Sequence, residues 1–249
     1  MVIDIRVVRN FWNARPCNIK HSDKTVGSNK YFEEVTARKF KVEPHIPAFA
    51  NYARYNGKRV LEIGCGIGTD AEQFINAGAI YTGIDLSKES VDVALQRLPG
   101  ANIKVANIEE WCSGEKYDLI YSFGVLHHTP NIHNALANVR KMLTDDGEIK
   151  FMVYSQNSWK NLMIYLGLDQ PEAQSGCPVA NTYTFDQIRT LLSDFYLDLS
   201  KDHIFQYEIE SYKKYKYKKT WFWDAMPGWV TNFLETHLGW HTLIHGIKK

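Results

Sequence analysis

The chain has 249 residues, 45% of them hydrophobic and 23% charged, with a formal net charge of +1. That length suits one α/β domain with embellishments and a core that needs no covalent staples. The near-neutral charge gives no electrostatic case for nucleic acid or an anionic membrane as partner.

Four cysteines, Cys17, Cys65, Cys112 and Cys177, lie far apart without a CxxC pair. Neither a disulfide framework nor a structural zinc site is expected, and no metal ligand is assigned. The N-terminus lacks the basic start and long apolar core of a signal peptide, and no run approaches the roughly 18 apolar residues of a membrane span. The expected location is the cytoplasm, with no membrane partner.

The first 50 or so residues stand outside any regular alternation and are expected to form an N-terminal helical cap, residues 1–50. A repeated strand–helix rhythm then occupies residues 57–154. "RVLEIGC" (59–65) is a short buried strand ending in glycine, and "TDAEQFINAG" is a helix with Ala71, Phe74 and Ile75 on one face. "AIYTGIDLS", "NIKVAN", "YDLIYSFGVL" and "EIKFMVY" read as the next four strands. "KESVDVALQRL" and "NIHNALANVRKML" are the amphipathic helices among them. The repeated βαβ pattern implies a doubly wound, mostly parallel sheet.

After Tyr154 the rhythm changes. "SQNSWKNLMIYLGLDQPEAQSGCPVANTY" starts as a helix that Pro171, Gly176 and Pro178 interrupt. "TFDQIRTLLSDF" opens on a capping-box pattern, Thr184 to Gln187. "YLDLSKDHIFQYEI" and "WHTLIHGI" read as two further strands, separated by a segment rich in Lys, Tyr and Trp. With no linker or internal repeat, residues 1–249 read as one domain, of which 155–249 supply substrate-side helices and the last strands.

The glycine turn "VLEIGCGIGTD" (60–70) narrows the ligand. A P-loop needs GxxxxGK followed by Ser or Thr, which is missing. A dinucleotide turn needs G-x-G-x-x-G, and its third glycine position is Thr69. A carboxylate at Glu62 repels a pyrophosphate but suits an ammonium or sulfonium. Asp85, ending the second strand, is placed to accept hydrogen bonds from ribose hydroxyls. A ribose, a cationic amino-acid end and no phosphate together describe S-adenosylmethionine.

These residues carry a resemblance. The run from Arg59 to Tyr154 resembles the class I S-adenosylmethionine-dependent methyltransferases that act on small molecules, through "VLEIGCGIGTD", "YTGIDLS" and "YDLIYSFGVLHHTP". The resemblance implies a seven-stranded Rossmann-like sheet, with "LGWHTLIHGIKK" as an antiparallel last strand between strands five and six. It implies that Gly64, Cys65, Gly66 and Gly68 pack on the methionyl part, with Glu62 on its amino group. Asp85 then holds the ribose, with Leu86 beside the adenine. Asn107 stands where the family often has an adenine-binding Asp, with Ile108 next to it; Phe123 and Gly124 border the reactive methyl. S-adenosyl-L-homocysteine is the implied product.

For catalysis, alignment of nucleophile, methyl carbon and sulfur is the main requirement, and a base is needed only for a protonated nucleophile. His127 and His128 are the candidates for that base, against a role in fixing their loop, and Tyr31 is a candidate pocket hydroxyl. Tyr31, Arg38, Trp221 and Trp223 are the candidate substrate-binding residues, and Lys39 shares with Arg38 a possible hold on a carboxylate. The five lysines and two tyrosines of 213–219 admit a nucleic-acid patch, but a small-molecule acceptor at O or N is the expectation. RNA or protein methylation, and alkyl transfer or cyclisation on the same cofactor, are the alternatives. The acceptor and the oligomeric state are left open.

Overall fold

The structure, a computed structural model, describes residues 3–167, 176–214 and 216–249. Pro171 and Tyr215, singled out above, lie outside them. The strands are β1 (Arg59–Ile63), β2 (Ile80–Asp85), β3 (Ile103–Val105), β4 (Tyr117–Phe123), β5 (Leu143–Ser155), β6 (Thr182–Tyr183), β7 (Phe195–Asp202) and β8 (His241–Lys248). The front helices are α1 (Ile5–Ala14), α2 (Asn29–Val42) and α3 (His45–Ala50). Within the sheet region come α4 (Thr69–Asn76), α5 (Lys88–Arg97), α6 (Ile132–Met142), α7 (Trp159–Tyr165) and α8 (Phe185–Leu191). Between β7 and β8 lie α9 (Ile209–Lys213), α10 (Trp221–Asp224) and α11 (Gly228–Leu238).

The sheet runs in the order β3-β2-β1-β4-β5-β8-β7, with β6 paired to the end of β5. β1 to β5 are mutually parallel, whereas β8 runs antiparallel to both β5 and β7. The last strand thus sits where it was expected, and the aromatic-rich segment lies between the last two strands. Three details differ from the sequence reading. The sheet gains the short β6, whose Thr182 and Tyr183 pair with Tyr154 and Ser155. β7 stops at Asp202, because His203 adopts a left-handed backbone that breaks the extended run. "TDDGE", read as a turn, is absorbed into a long β5 that shifts register between Tyr117 and Leu119 of β4.

Side-chain alternation along the strands builds a core on each face of the sheet. Leu61, Ile63 and Ile120 point toward Leu136 and Val139 of α6 and Ile188 of α8. Val60, Leu119 and Tyr121 point the other way, onto Phe74 of α4 and Val91 and Ala94 of α5. The reciprocal capping box of α8 forms as expected, Thr184 with Gln187. Strand order reverses between β1 and β4, and that reversal opens a crevice beyond the strands' carboxyl ends. Among the described residues, no helix is long and apolar enough to cross a membrane.

Candidate active site

The crevice holds a cavity lined by the glycine turn, the ends of β2 and β4, and α1 and α2. Backbone hydrogen bonds fix the turn: the N–H groups of Gly64 and Cys65 both donate to the Ile84 carbonyl, at 2.7 and 3.1 Å. Asp85 laces it further, its carboxylate accepting from Gly66 N at 2.8 Å and Ser87 N at 2.8 Å. Burial raises the Asp85 pKa, and these N–H donors oppose the rise. Gly64, Cys65, Gly66, Leu86, Asn107, Ile108, Phe123 and Gly124 all line the cavity, as Glu62 and Asp85 do.

Gly68 does not line it. It caps α4 in a left-handed conformation and packs toward Ala94 of α5, so its role is to turn the chain. Asn107 also departs from the expected detail. Its Oδ1 accepts from Glu109 N at 3.1 Å, while its Nδ2 is buried without a partner. The amide oxygen is thus already engaged by the backbone of its own turn.

Beside the glycine turn two buried acids meet one lysine. Glu62 accepts from the Tyr81 hydroxyl at 2.5 Å, and burial, with Asp70 nearby, pushes its pKa up to about 8. Asp70 accepts from Lys39 Nζ at 2.9 Å, Tyr52 at 3.0 Å and Tyr121 at 3.1 Å. Burial opposes the Lys39 charge, yet Asp70 beside it leaves the pKa above that of an ordinary lysine. When both acids are ionised the group carries one net negative charge, complementary to a cation and hostile to a phosphate. Asp70 ends the very motif that marks the turn, in the first turn of α4, and sequence reasoning passed over it.

A second cavity, of about 410 Å³, adjoins the first across shared walls at Cys17, Asn18, Lys39, Phe123 and Gly124. Trp159, Trp240, Tyr154 and Tyr212 give it aromatic walls, and Arg38, Lys160, Glu43, His203 and His241 give it charge and proton-transfer groups. The Arg38 guanidinium lies over the Tyr212 ring at 4.5 Å.

Four expected residues lie elsewhere. Tyr31, the candidate pocket hydroxyl, is instead fully buried with Phe32, Val35 and Val93, its hydroxyl donating to the Ile19 carbonyl at 2.8 Å. Trp221 is 81% exposed and Trp223 is buried under its own segment, and neither lines either cavity. His127 is enclosed against Tyr154, ring centroids 3.8 Å apart, and also lines neither. His128 lines only the first cavity, its Nδ1 donating to the Val179 carbonyl at 2.6 Å. Burial lowers its pKa to about 4. Neither histidine lines the second cavity. In the lysine run, Lys218 pairs with Glu208 at 2.7 Å and Lys41 of α2 sits over Tyr217 at 4.6 Å, so the run is partly tied to its own surroundings.

Comparison with known proteins agrees with this geometry. Residues 61–149 match the family model described as "Methyltransferase domain". Over that stretch the chain is similar to the methyltransferase-domain family. A ubiquinone biosynthesis O-methyltransferase of Photobacterium profundum is 32% identical over 120 residues, 46% of this chain and 51% of that protein. One from Glaesserella parasuis is 29% identical over 123 residues, 45% of this chain and 52% of that one. The chain spans about half the length of these curated relatives. Among solved structures, magnesium protoporphyrin IX methyltransferase from Synechocystis with bound SAH shares the fold, with TM-score 0.62 and 16% identity. That alignment covers 99% of this chain and 100% of that one. A methyltransferase from Mesorhizobium loti aligns with TM-score 0.57 and 16% identity, covering 82% and 97% respectively.

Proposed function

We propose that this protein transfers a methyl group from S-adenosylmethionine to an oxygen or nitrogen atom of a small molecule in the cytoplasm, releasing S-adenosylhomocysteine. One observation carries the cofactor assignment: Glu62 and Asp70, with Lys39 as their counter-ion, face a cavity built on a bare glycine turn. Asp85 at the end of β2 supplies ribose acceptors, and Asn107 with Ile108 receives the adenine. The bound cofactor supplies an electrophilic methyl on a cationic sulfur.

This chain's residues then bind, orient and exclude water. Phe123 and Gly124 close the β4 end, where the two cavities meet. An acceptor held in the second cavity therefore meets the cofactor at that junction, where the two can be aligned for displacement. A cavity of about 410 Å³ falls in the range of small-molecule sites. The O-methyltransferase names of the relatives favour a hydroxyl acceptor, and four free cysteines suit a reducing compartment.

Calorimetry tests the assignment: S-adenosylmethionine and S-adenosylhomocysteine bind, and NAD does not. Asp85→Ala lowers cofactor affinity by about 10- to 100-fold, the loss of one or two hydrogen bonds to a charged group. Unchanged affinity refutes the ribose role. A screen of hydroxylated aromatics, followed by mass spectrometry of the demethylated product, identifies the acceptor.

A further inference from the structure

The floor of the second cavity brings together Glu43, which follows α2, His203, which follows β7, and His241, which opens β8. One ligand atom from each lies within 4.8 Å of the others. Glu43 Oε1 is 3.7 Å from His241 Nε2, and the His203 and His241 rings face one another at 4.6 Å. Behind them stands a second layer. His241 Nδ1 lies 3.0 Å from His45 Nε2, and His45 Nδ1 lies 3.4 Å from Asp202 Oδ1.

That chain sets the tautomers. Asp202 favours a proton on His45 Nδ1, so His45 Nε2 accepts from His241 Nδ1–H. The lone pair of His241 Nε2 is then free and turned to Glu43. A carboxylate–imidazole chain of this kind orients and strengthens a metal-ligating histidine. The backbone adds to the convergence: His203 has a φ of 69°, left-handed for a non-glycine residue, and its N–H donates to Asp202 Oδ1 at 2.6 Å.

We propose that Glu43, His203 and His241 bind a divalent transition-metal ion of the zinc class. Two imidazoles and one carboxylate are a three-ligand donor set that leaves a position open to substrate. Metal–ligand bonds of about 2 Å place tetrahedral ligands about 3.3 Å apart, so the three draw together by side-chain rotation when the ion binds. Two cations stand near. Lys39 is paired with Asp70 at 2.9 Å, and Lys160 lies over the Trp240 ring at 5.1 Å.

The ion's role rests on the methyl-transfer reading. His241 is 5.5 Å from the Phe123 ring, which walls both cavities, so the three donors stand beside the junction of the two. An acceptor hydroxyl ligating the ion loses its proton to water, because the cation lowers its pKa. The acceptor oxygen then bonds to the methyl carbon as the carbon–sulfur bond breaks and its electron pair stays on sulfur.

The test needs no acceptor. Chelator-treated full-length protein is titrated with Co2+ and followed by its visible absorption bands and by calorimetry. The expected result is saturation at a single equivalent, with displacement by Zn2+. Glu43→Gln, His203→Ala and His241→Ala abolish the bands, and His45→Ala weakens Co2+ binding by about 10- to 100-fold. Circular dichroism checks that each variant is folded, and the wild-type spectrum stands independently of all of them. Absence of a stoichiometric band in the wild type, or bands that survive in folded Glu43→Gln and His241→Ala, overturns the proposal. Asp85→Ala separates the two readings. It keeps the cobalt spectrum whether or not the cofactor assignment holds, so each can fail alone.

Discussion

Alanine at Gly64 and at Gly66 should injure the protein in different ways. Both residues have positive φ, +74° and +54°, so each substitution carries the left-handed cost of about 1–2 kcal/mol for a residue with a Cβ. At Gly64 the new Cβ would meet Val125 Cγ2 at 2.2 Å, Cγ1 at 2.7 Å and Cβ at 2.8 Å. Val125 packs against the core on the α6 side of the sheet, so it cannot simply swing away. Overpacking of this kind adds about 1–3 kcal/mol, for a combined loss near 2–5 kcal/mol, a large share of a domain's stability. At Gly66 the Cβ meets nothing within 4 Å, since that side faces the cavity.

Gly66→Ala should therefore fold with only the backbone penalty but lose cofactor affinity by about tenfold or more. Urea denaturation and S-adenosylmethionine calorimetry on both variants separate the two effects. Gly64→Ala within about 0.5 kcal/mol of wild type, or Gly66→Ala binding as tightly as wild type, refutes the reasoning.

The Glu62 carboxyl, held near 8 in the fold against an ordinary 4.5, makes two pH-dependent outcomes testable. Because its folded pKa is raised, the ligand-free protein loses stability as pH climbs through that window, and thermal melts of Glu62→Gln should be flatter across it. Cofactor binding runs the opposite way. A cationic ligand favours the ionised acid, so affinity below pH 8 should fall by about tenfold per unit, a slope that calorimetry should find missing in Glu62→Gln. Tyr31→Phe removes the hydroxyl's bond to the Ile19 carbonyl, so melting should show a loss of about 1 kcal/mol with cofactor affinity unchanged.

The cofactor half of the site was legible because its signals are local. A glycine turn, an acid inside it and an acid at the next strand's end are fixed by neighbouring chain, and the fold carries them to one crevice. Periodicity likewise placed β1 to β5 and their helices, since each buried face repeats within a few residues. The acceptor half has no such signal. His45 and His241 hydrogen-bond across 196 positions, and only the insertion of β8 between β5 and β7 brings them together. His127 and His128 misled because both sit just after β4, where function is expected, while His127 is enclosed against Tyr154 and His128 lines only the first cavity, with its Nδ1 on the Val179 carbonyl. Trp221 and Trp223 misled for the opposite reason: the aromatic composition of their segment says nothing of which ring faces the cavity.

The antiparallel course of β8 also inverts the usual geography of such a sheet. In β1, β2 and β4 the last residues line a cavity, but in β8 the first one does, and His241 pairs there with both Tyr154 and Asp202. Segment 203–240 thus leaves and re-enters the sheet at the rim of the second cavity, and none of its described residues lines the first. Lengthening or reshaping that segment would alter the walls of the second cavity and leave those of the first intact, so the two cavities are separately adjustable.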